Sequence, residues 1–509
     1  VGLLVLPFNV AHLGKAAYGL WILTTSVTAY FSVLDLGYSG AQVRFVAHYR
    51  ARRDAGALNE ILSTMFCVFG GVGVVVYLVA ILIAVFLGHL FKLDPDQIAT
   101  GRTVLLIVSA SFAFGMPFSV FGGVINGFQR YDLNNIVGAV SSIVAAVVNV
   151  AVVLAGYGLV PLVVATTTVR LLTYWVYRAN AYRVFPQLRI RLHSFSPARL
   201  KEVTSFSVYM LLIDWANKIN YSVDAVVIGM FLNTGAVAVW TVGQRLAETT
   251  QRLTNQLNEV LFPSVVDSHT SDRSGRLRRI LLEGTRLSLA SVLPMAGTLV
   301  VLARPLVQAW VGKTFTSQEL DAAVLVLQIL AITVMVRVGS ATAGTLLKGA
   351  GRHRLLAFTN VTTATVNLVL SIALIGRFEL PGVAVATLVP VSLGAALILL
   401  PAGCARVGVS PGQLLVAAIW PAAWPVVPMI AWAVAIRPYA GTSIIAVGIA
   451  AATAASVYAV VFLLFSTTPP EREFLRAKLR VWTAFLERPR SPGITLQNPV
   501  SSQGTTPHV

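Results

Sequence analysis

Residues 206–232 read FSVYMLLIDWANKINYSVDAVVIGMFL. The stretch is long enough to cross a bilayer, which takes about 20 apolar residues, and it is apolar at both ends. Its middle nevertheless holds Asp214, Lys218 and Asp224, with Asn217 and Asn220 between them. A charge at the centre of a membrane helix costs roughly 2.5–3.5 kcal/mol on insertion scales, so three in one span need a reason. At about 100° per residue, Asp214, Asn217, Lys218 and Asp224 fall within an arc of about 120°. The helix has one polar face, and such a face turns toward other helices or a water-filled cavity rather than toward lipid.

The rest of the chain agrees with this membrane reading. Of 509 residues, 56% are hydrophobic and only 11% charged, whereas soluble domains are about 25% charged. The net charge of +18 does not point to nucleic acid, because the basic residues sit mostly in short loops between apolar spans. The two cysteines, Cys67 and Cys404, lie in or beside apolar spans and suggest neither a disulfide framework nor a metal site. No cleavable signal pattern is visible. The first apolar run stops near Val10, half a span, so the numbering is expected to begin inside the first helix of a longer protein.

Fourteen apolar spans are expected, at about 1–10, 17–37, 61–88, 103–126, 134–155, 159–178, 206–231, 235–262, 281–303, 322–345, 355–376, 382–403, 412–435 and 442–465. The fold class is an all-α integral membrane protein with two pseudo-symmetric six-helix lobes and two extra C-terminal helices. The N-lobe is predicted over 1–178, an inter-lobe cytoplasmic loop over 179–205, the C-lobe over 206–403, the last two helices over 404–465 and a partly disordered tail over 466–509. Alternate loops, with the tail, hold 24 Lys and Arg; the others hold 7, namely Lys15, Lys92, Arg102, Arg304, Lys313, Arg377 and Arg437. The basic side faces the cytoplasm, which predicts both termini inside. A shift of 219 residues superposes Trp21 on Trp240, Gly56 on Gly275 and Ile61-Leu62 on Ile280-Leu281. VNV at 148–150 meets VNL at 366–368 at a shift of 218. Six spans per unit makes the repeats parallel, about an axis along the membrane normal.

The segment AYGLWILTTSVTAYFSVLDLGYSGAQVRFVAHY, residues 17–49, resembles the second helix of bacterial polysaccharide transporters. These are the O-antigen and exopolysaccharide flippases of the multidrug/oligosaccharidyl-lipid/polysaccharide exporter superfamily. The pieces that carry the resemblance are Tyr18-Gly19, Leu34-Asp35-Leu36-Gly37 and the run from Ala41 to Arg44 with Phe45-Val46-Ala47. VDAVVIGMFLNTGAVAVWTVGQRLAE and LFPSVV, within 223–266, are similar to the family's seventh and eighth helices, with Asp224, Gly235, Gln244 and Pro263 at the expected places. The resemblance implies fourteen helices, alternating access, and movement of an undecaprenyl-pyrophosphate-linked glycan from the cytoplasmic to the outer leaflet of the cytoplasmic membrane. Partners would be that lipid-linked glycan, the bilayer, and polysaccharide polymerase and chain-length machinery.

No nucleotide loop, metal-spaced His/Cys cluster or nucleophile elbow is present, and His48, His89, His193, His269 and His353 are scattered near span ends or in loops. No catalytic residue, metal or cofactor is expected. The stronger signal is a set of intramembrane cations: Lys218, Arg245, Arg252 and Arg337, to which Arg170 and Arg44 are added without an assigned depth. Arg245, Glu248 and Arg252 share one helix face by their spacing. An anionic pyrophosphate would be held by Arg as a bidentate fork and by Lys as a point charge, which makes these six the expected substrate-binding set. The plain alternative is that they pair with Asp214, Asp224, Glu248 and Glu259 and hold helices together. For Arg44 the plain reading is a snorkelling interfacial residue. Coupling to a proton or sodium gradient needs a titratable or ion-binding group, and Asp214, Asp224, Glu248 and Asp35 are the candidates. For Asp35 the favoured reading is structural, a cap on a helix break at Gly37.

The rival transport substrates are lipid II and drugs, both handled within the same superfamily. Drug exporters usually have twelve helices and rely on acids, against the fourteen spans and excess cations here. A membrane polymerase or glycosyltransferase would need a substantial outward domain. The longest predicted outward loops, 88–103 and 304–320, are short, and Asp94-Pro95-Asp96 reads as turn chemistry.

Overall fold

The computed structural model describes residues 2–31, 38–201, 223–266, 273–441 and 443–467. Among them there is helix and no strand. The helices are α1 (Gly2–Leu13), α2 (Lys15–Ala29), α3 (Tyr38–Ala51), α4 (Ala55–Val85), α5 (Pro95–Gly127), α6 (Tyr131–Leu154) and α7 (Leu159–Val184). After helical residues 223–231 (α8) come α9 (Thr234–Val266), α10 (Arg273–Val311) and α11 (Ser317–Gly349). A long helical run from His353 is broken at Glu379, whose φ of 47° and ψ of −133° no helix accepts. It therefore holds two spans, α12 (353–378) and α13 (380–407), as the sequence predicts. The last pair is α14 (Pro411–Tyr439) and α15 (Ile444–Ser466). With α2 and α3 counted as the halves of one span, these make the fourteen expected.

Local chemistry sets several ends. Asp54 accepts from the Ala57 amide at 2.9 Å to cap α4. Thr316 and Glu319 form a reciprocal capping box at α11, and Ser410 with Gln413 does the same at α14. Pro117 and Pro294 do not end helices: α5 and α10 run on through them. The irregular turns are π turns at Gly394–Leu399, Leu415–Ile419 and Phe462–Ser466. The second of these holds the carbonyl of Ala417, which Pro421, lacking an amide hydrogen, cannot bond.

Two groups of helices are held by separate apolar cores. In the first, α3, α4, α5 and α7 pack around Val46, Ile61, Phe69, Val120 and Phe121. In the second, α9, α10 and α11 pack around Trp240, Val292, Val326 and Leu327, and α14 and α15 lie against α10. Outward faces carry exposed large apolar side chains, among them Leu78, Leu82, Val147, Leu397 and Val427. That is the surface lipid requires.

The groups meet chiefly where α2 crosses α9. The repeat offset makes these two helices equivalents, and an axis between them is what parallel repeats demand. Gly19 makes the crossing possible, since a Cβ there would overlap the carbonyl oxygen of Thr234. Three further ties cluster at this end. Lys15 pairs with Glu319, Thr234 Oγ1 donates to Gln97 Oε1 at 3.2 Å, and the Lys92 amide donates to the Gly229 carbonyl at 3.1 Å. The end that carries the predicted outward loops is therefore closed.

On the other side of the first group, the loop after α7 is fastened along α4. Asn59 donates to the Gln187 carbonyl and accepts from the Arg189 amide, both at 2.9 Å. Ser63 accepts from the Arg191 amide at 3.1 Å and Thr64 from the Ser196 amide at 3.0 Å. Arg199 then reaches Glu60 at 3.1 Å and the Tyr49 hydroxyl at 2.7 Å.

Candidate functional site

The polar face of α9 is built by spacing of three and four residues. Trp240 Nε1 donates to Gln244 Oε1 at 3.0 Å, and Gln244 Nε2 donates to Glu248 Oε1 at 3.0 Å. The other carboxylate oxygen of Glu248 lies 3.6 Å from both Arg245 Nη1 and Arg252 Nη2. One acid is thus shared by two arginines, so this trio of described side chains carries a net positive charge. Both arginine side chains are well exposed, at 46% and 74%, while Glu248 is at 22%. Arg245 also stands within electrostatic reach of the buried Tyr18 hydroxyl on α2. The cationic face therefore borders the junction between the two groups.

Asp224 on α8 lies behind this face and is 3% exposed. It shares a pocket of about 40 Å³ with Gln244, Glu248, Arg337 and Thr387, room for a few waters. Its carboxyl faces Asn367 of α12 and Thr387 of α13, with Arg337 of α11 as the nearest opposite charge. Asn367 Oδ1 accepts from Ser371 at 3.2 Å and lies 3.5 Å from the Thr387 hydroxyl, which donates to the Val383 carbonyl at 3.1 Å. Asp224 Oδ1 accepts no hydrogen bond among the described residues. A buried carboxylate oxygen left open beside an amide and a hydroxyl side chain fits a small hard cation or a proton. Among the described residues no three His, Cys, Asp or Glu are grouped as a transition-metal site.

Of the residues expected from sequence, Arg245, Arg252 and Glu248 are brought together, and Asp224, Glu248 and Arg337 line one pocket. Arg44 on α3 and Arg170 on α7 are exposed on the first group of helices. Neither lines that pocket, and Arg170 instead neighbours Tyr174. Asp35, Asp214 and Lys218 lie outside the described residues.

Sequence reasoning missed Asn367 and Thr387 as neighbours of Asp224. A signal was present: the VNV/VNL match pairs Asn149 with Asn367, and both are buried polar residues, at 4% and 1% exposure. It also missed Arg286 on α10, only 7% exposed. Loops and the tail account for 31 of the 38 Lys and Arg, and Arg286 is the seventh left in the spans beside the six proposed.

Helix order, the α2–α9 crossing and the apolar outward faces define a multi-pass, all-helical membrane protein. The solved structure of the lipid II flippase MurJ, in an inward closed conformation, matches with a TM-score of 0.71 at 16% identity, covering 91% of this chain and 96% of that one. An inward-facing multidrug resistance MATE family transporter matches with a TM-score of 0.62 at 14% identity, covering 80% and 97%. At these identities the likeness is one of fold. A probable flippase, AglR, from Haloferax volcanii is 23% identical over 401 residues, 78% of this chain and 79% of the relative. Residues 13–320 match the family described as polysaccharide biosynthesis protein, and the chain belongs to that family.

Proposed function

We propose that this protein moves a polyprenyl-pyrophosphate-linked oligosaccharide between the leaflets of the cytoplasmic membrane by alternating access, for cell-surface polysaccharide synthesis, with both termini in the cytoplasm. The observation that carries the reading is the sharing of Glu248 by Arg245 and Arg252. It leaves a net positive charge at the junction of the two helix groups, where a pyrophosphate can be held while its lipid tail stays in the bilayer. Lys218, Arg44 and Arg170 join this set as expectations from sequence. Membership in the polysaccharide biosynthesis family supports a glycan over a drug.

Asp224 is the coupling residue in this reading. When a cation or proton occupies it, the oxygens of Asp224, Asn367 and Thr387 hold the charge, and the carboxyl's attraction for Arg337 is weakened. Glu248 is committed to two arginines, so of the two described acids Asp224 is better suited to a mobile ion.

The test is export of the glycan in a strain lacking its own flippase. Lys218→Ala combined with Arg245→Ala should abolish export, and wild-type export by that variant sinks the cationic-face mechanism. In proteoliposomes, Asp224→Asn should remove the dependence of flipping on a sodium or pH gradient. The rival substrate, lipid II, gains ground if the protein rescues a strain depleted of its lipid II flippase. Neighbouring polymerase and chain-length proteins are the partners to capture by crosslinking.

A further inference from the structure

A second cavity, of about 340 Å³, adjoins the carboxyl pocket and lies among α9, α11, α12 and the π turn of α13. Arg337 and Gln251 line both spaces. The other polar residues on its wall include Lys348, Asn360, Thr359 and Thr363, and no carboxylate stands among the described lining residues. Several hydroxyls there are already spent on backbone: Thr359 donates to the Leu355 carbonyl, Ser340 to Val336 and Thr345 to Ala341. The donors on the wall include the Lys348 ammonium, the Arg337 guanidinium, the Asn360 and Gln251 amides and the Thr363 hydroxyl. Leu356 belongs to the first turn of α12, whose N-terminal partial charge is also positive. The room is real on the α11 side, since a Cβ at Gly344 would meet nothing within 4 Å.

We infer that this cavity is an anion site for a phosphate-class group, either a free phosphate or pyrophosphate or a phospholipid head group. Because Arg337 is shared, the site is linked to cation occupancy at Asp224, and that linkage rests on the coupling role proposed above. A cation on Asp224 removes the negative charge that competes for Arg337, so the guanidinium interacts more strongly with an anion on its other side. By reciprocity the anion raises cation affinity by the same factor.

Potassium pyrophosphate is titrated calorimetrically into the full-length protein in detergent, with choline or sodium as the other cation. Lys348→Gln should weaken binding by about tenfold, the loss of one charge-assisted contact. Gly344→Leu, which fills the open space, should abolish it while thermal unfolding shows the variant folded. Unchanged affinity in both variants overturns the site. Loss of binding only in Arg245→Ala with Arg252→Ala also overturns it, and leaves the proposed flippase reading standing. Sodium should tighten pyrophosphate binding in the wild type and not in Asp224→Asn; an equal response in both overturns the linkage. Competition by phosphatidylglycerol nanodiscs supports the site with a lipid head group as ligand, and saturable binding without competition supports it with a free phosphate.

Discussion

Gly19→Ala is the sharpest probe of the closed junction. At the crossing of α2 and α9, a Cβ at residue 19 would overlap the Thr234 carbonyl oxygen. Carbon and its neighbours need about 3.5 Å, so the two helices must part by more than about an ångström. The obstacle is backbone, which cannot rotate away as a side chain would. Overpacking of this kind costs roughly 1–3 kcal/mol, and the gain in helix propensity of Ala over Gly offsets up to about 1 kcal/mol in every conformation alike. The cost falls on the closed arrangement only, so the closed-to-open ratio should drop roughly 5- to 150-fold. Spin labels at Lys92 and Lys313, both exposed in predicted outward loops, would report it as a shift to longer distances. Gly71→Ala is the matched control, because a Cβ there meets nothing within 4 Å. If Gly19→Ala keeps the wild-type distances and stability, the α2–α9 contact does not hold this end closed.

Two further outcomes follow from ties described above. Lys15→Glu should loosen the same end by about 0.5–1 kcal/mol, as expected for a partly exposed pair, and Glu319→Lys by more, since it also removes the α11 capping box. The exchanged pair should recover the Lys15→Glu loss in the spin-label distances, and no recovery would mean the ion pair is idle. Asn59→Ala removes both hydrogen bonds to the loop at 187–189, worth about 1–3 kcal/mol locally. Trypsin should then cleave after Arg189 and Arg191 several-fold faster, and an unchanged rate would show that the loop does not depend on Asn59.

The spans were legible because each needs its own run of apolar residues, and periodicity places side chains on a helix face. That is why Arg245, Glu248 and Arg252 could be grouped from spacing alone. Periodicity says nothing about which other helix a face will meet. Asp224 was visible as an intramembrane acid, yet its neighbours Asn367 and Thr387 come from α12 and α13, more than a hundred residues away. Arg286 escaped because it lies within two turns of the basic segment that opens α10, where a cation reads as interfacial. Glycine is equally mute in sequence: Gly19 and Gly71 look alike, and only the approach of Thr234 separates them. The break at Glu379 was legible, because Arg377 and Glu379 separate two apolar runs ahead of Leu380-Pro381; the positive φ of Glu379 was not.

The fastened loop after α7 bears on where the two halves can pivot. Asn59, Ser63 and Thr64 hold backbone from Gln187 to Ser196, and Glu60 with Tyr49 holds Arg199. A hinge must change φ and ψ freely, and backbone whose amides are committed to a neighbouring helix cannot do so without first breaking those bonds. The loop up to Arg199 therefore travels as part of the first half. No pivot between the two halves can lie within 187–199 while those bonds hold.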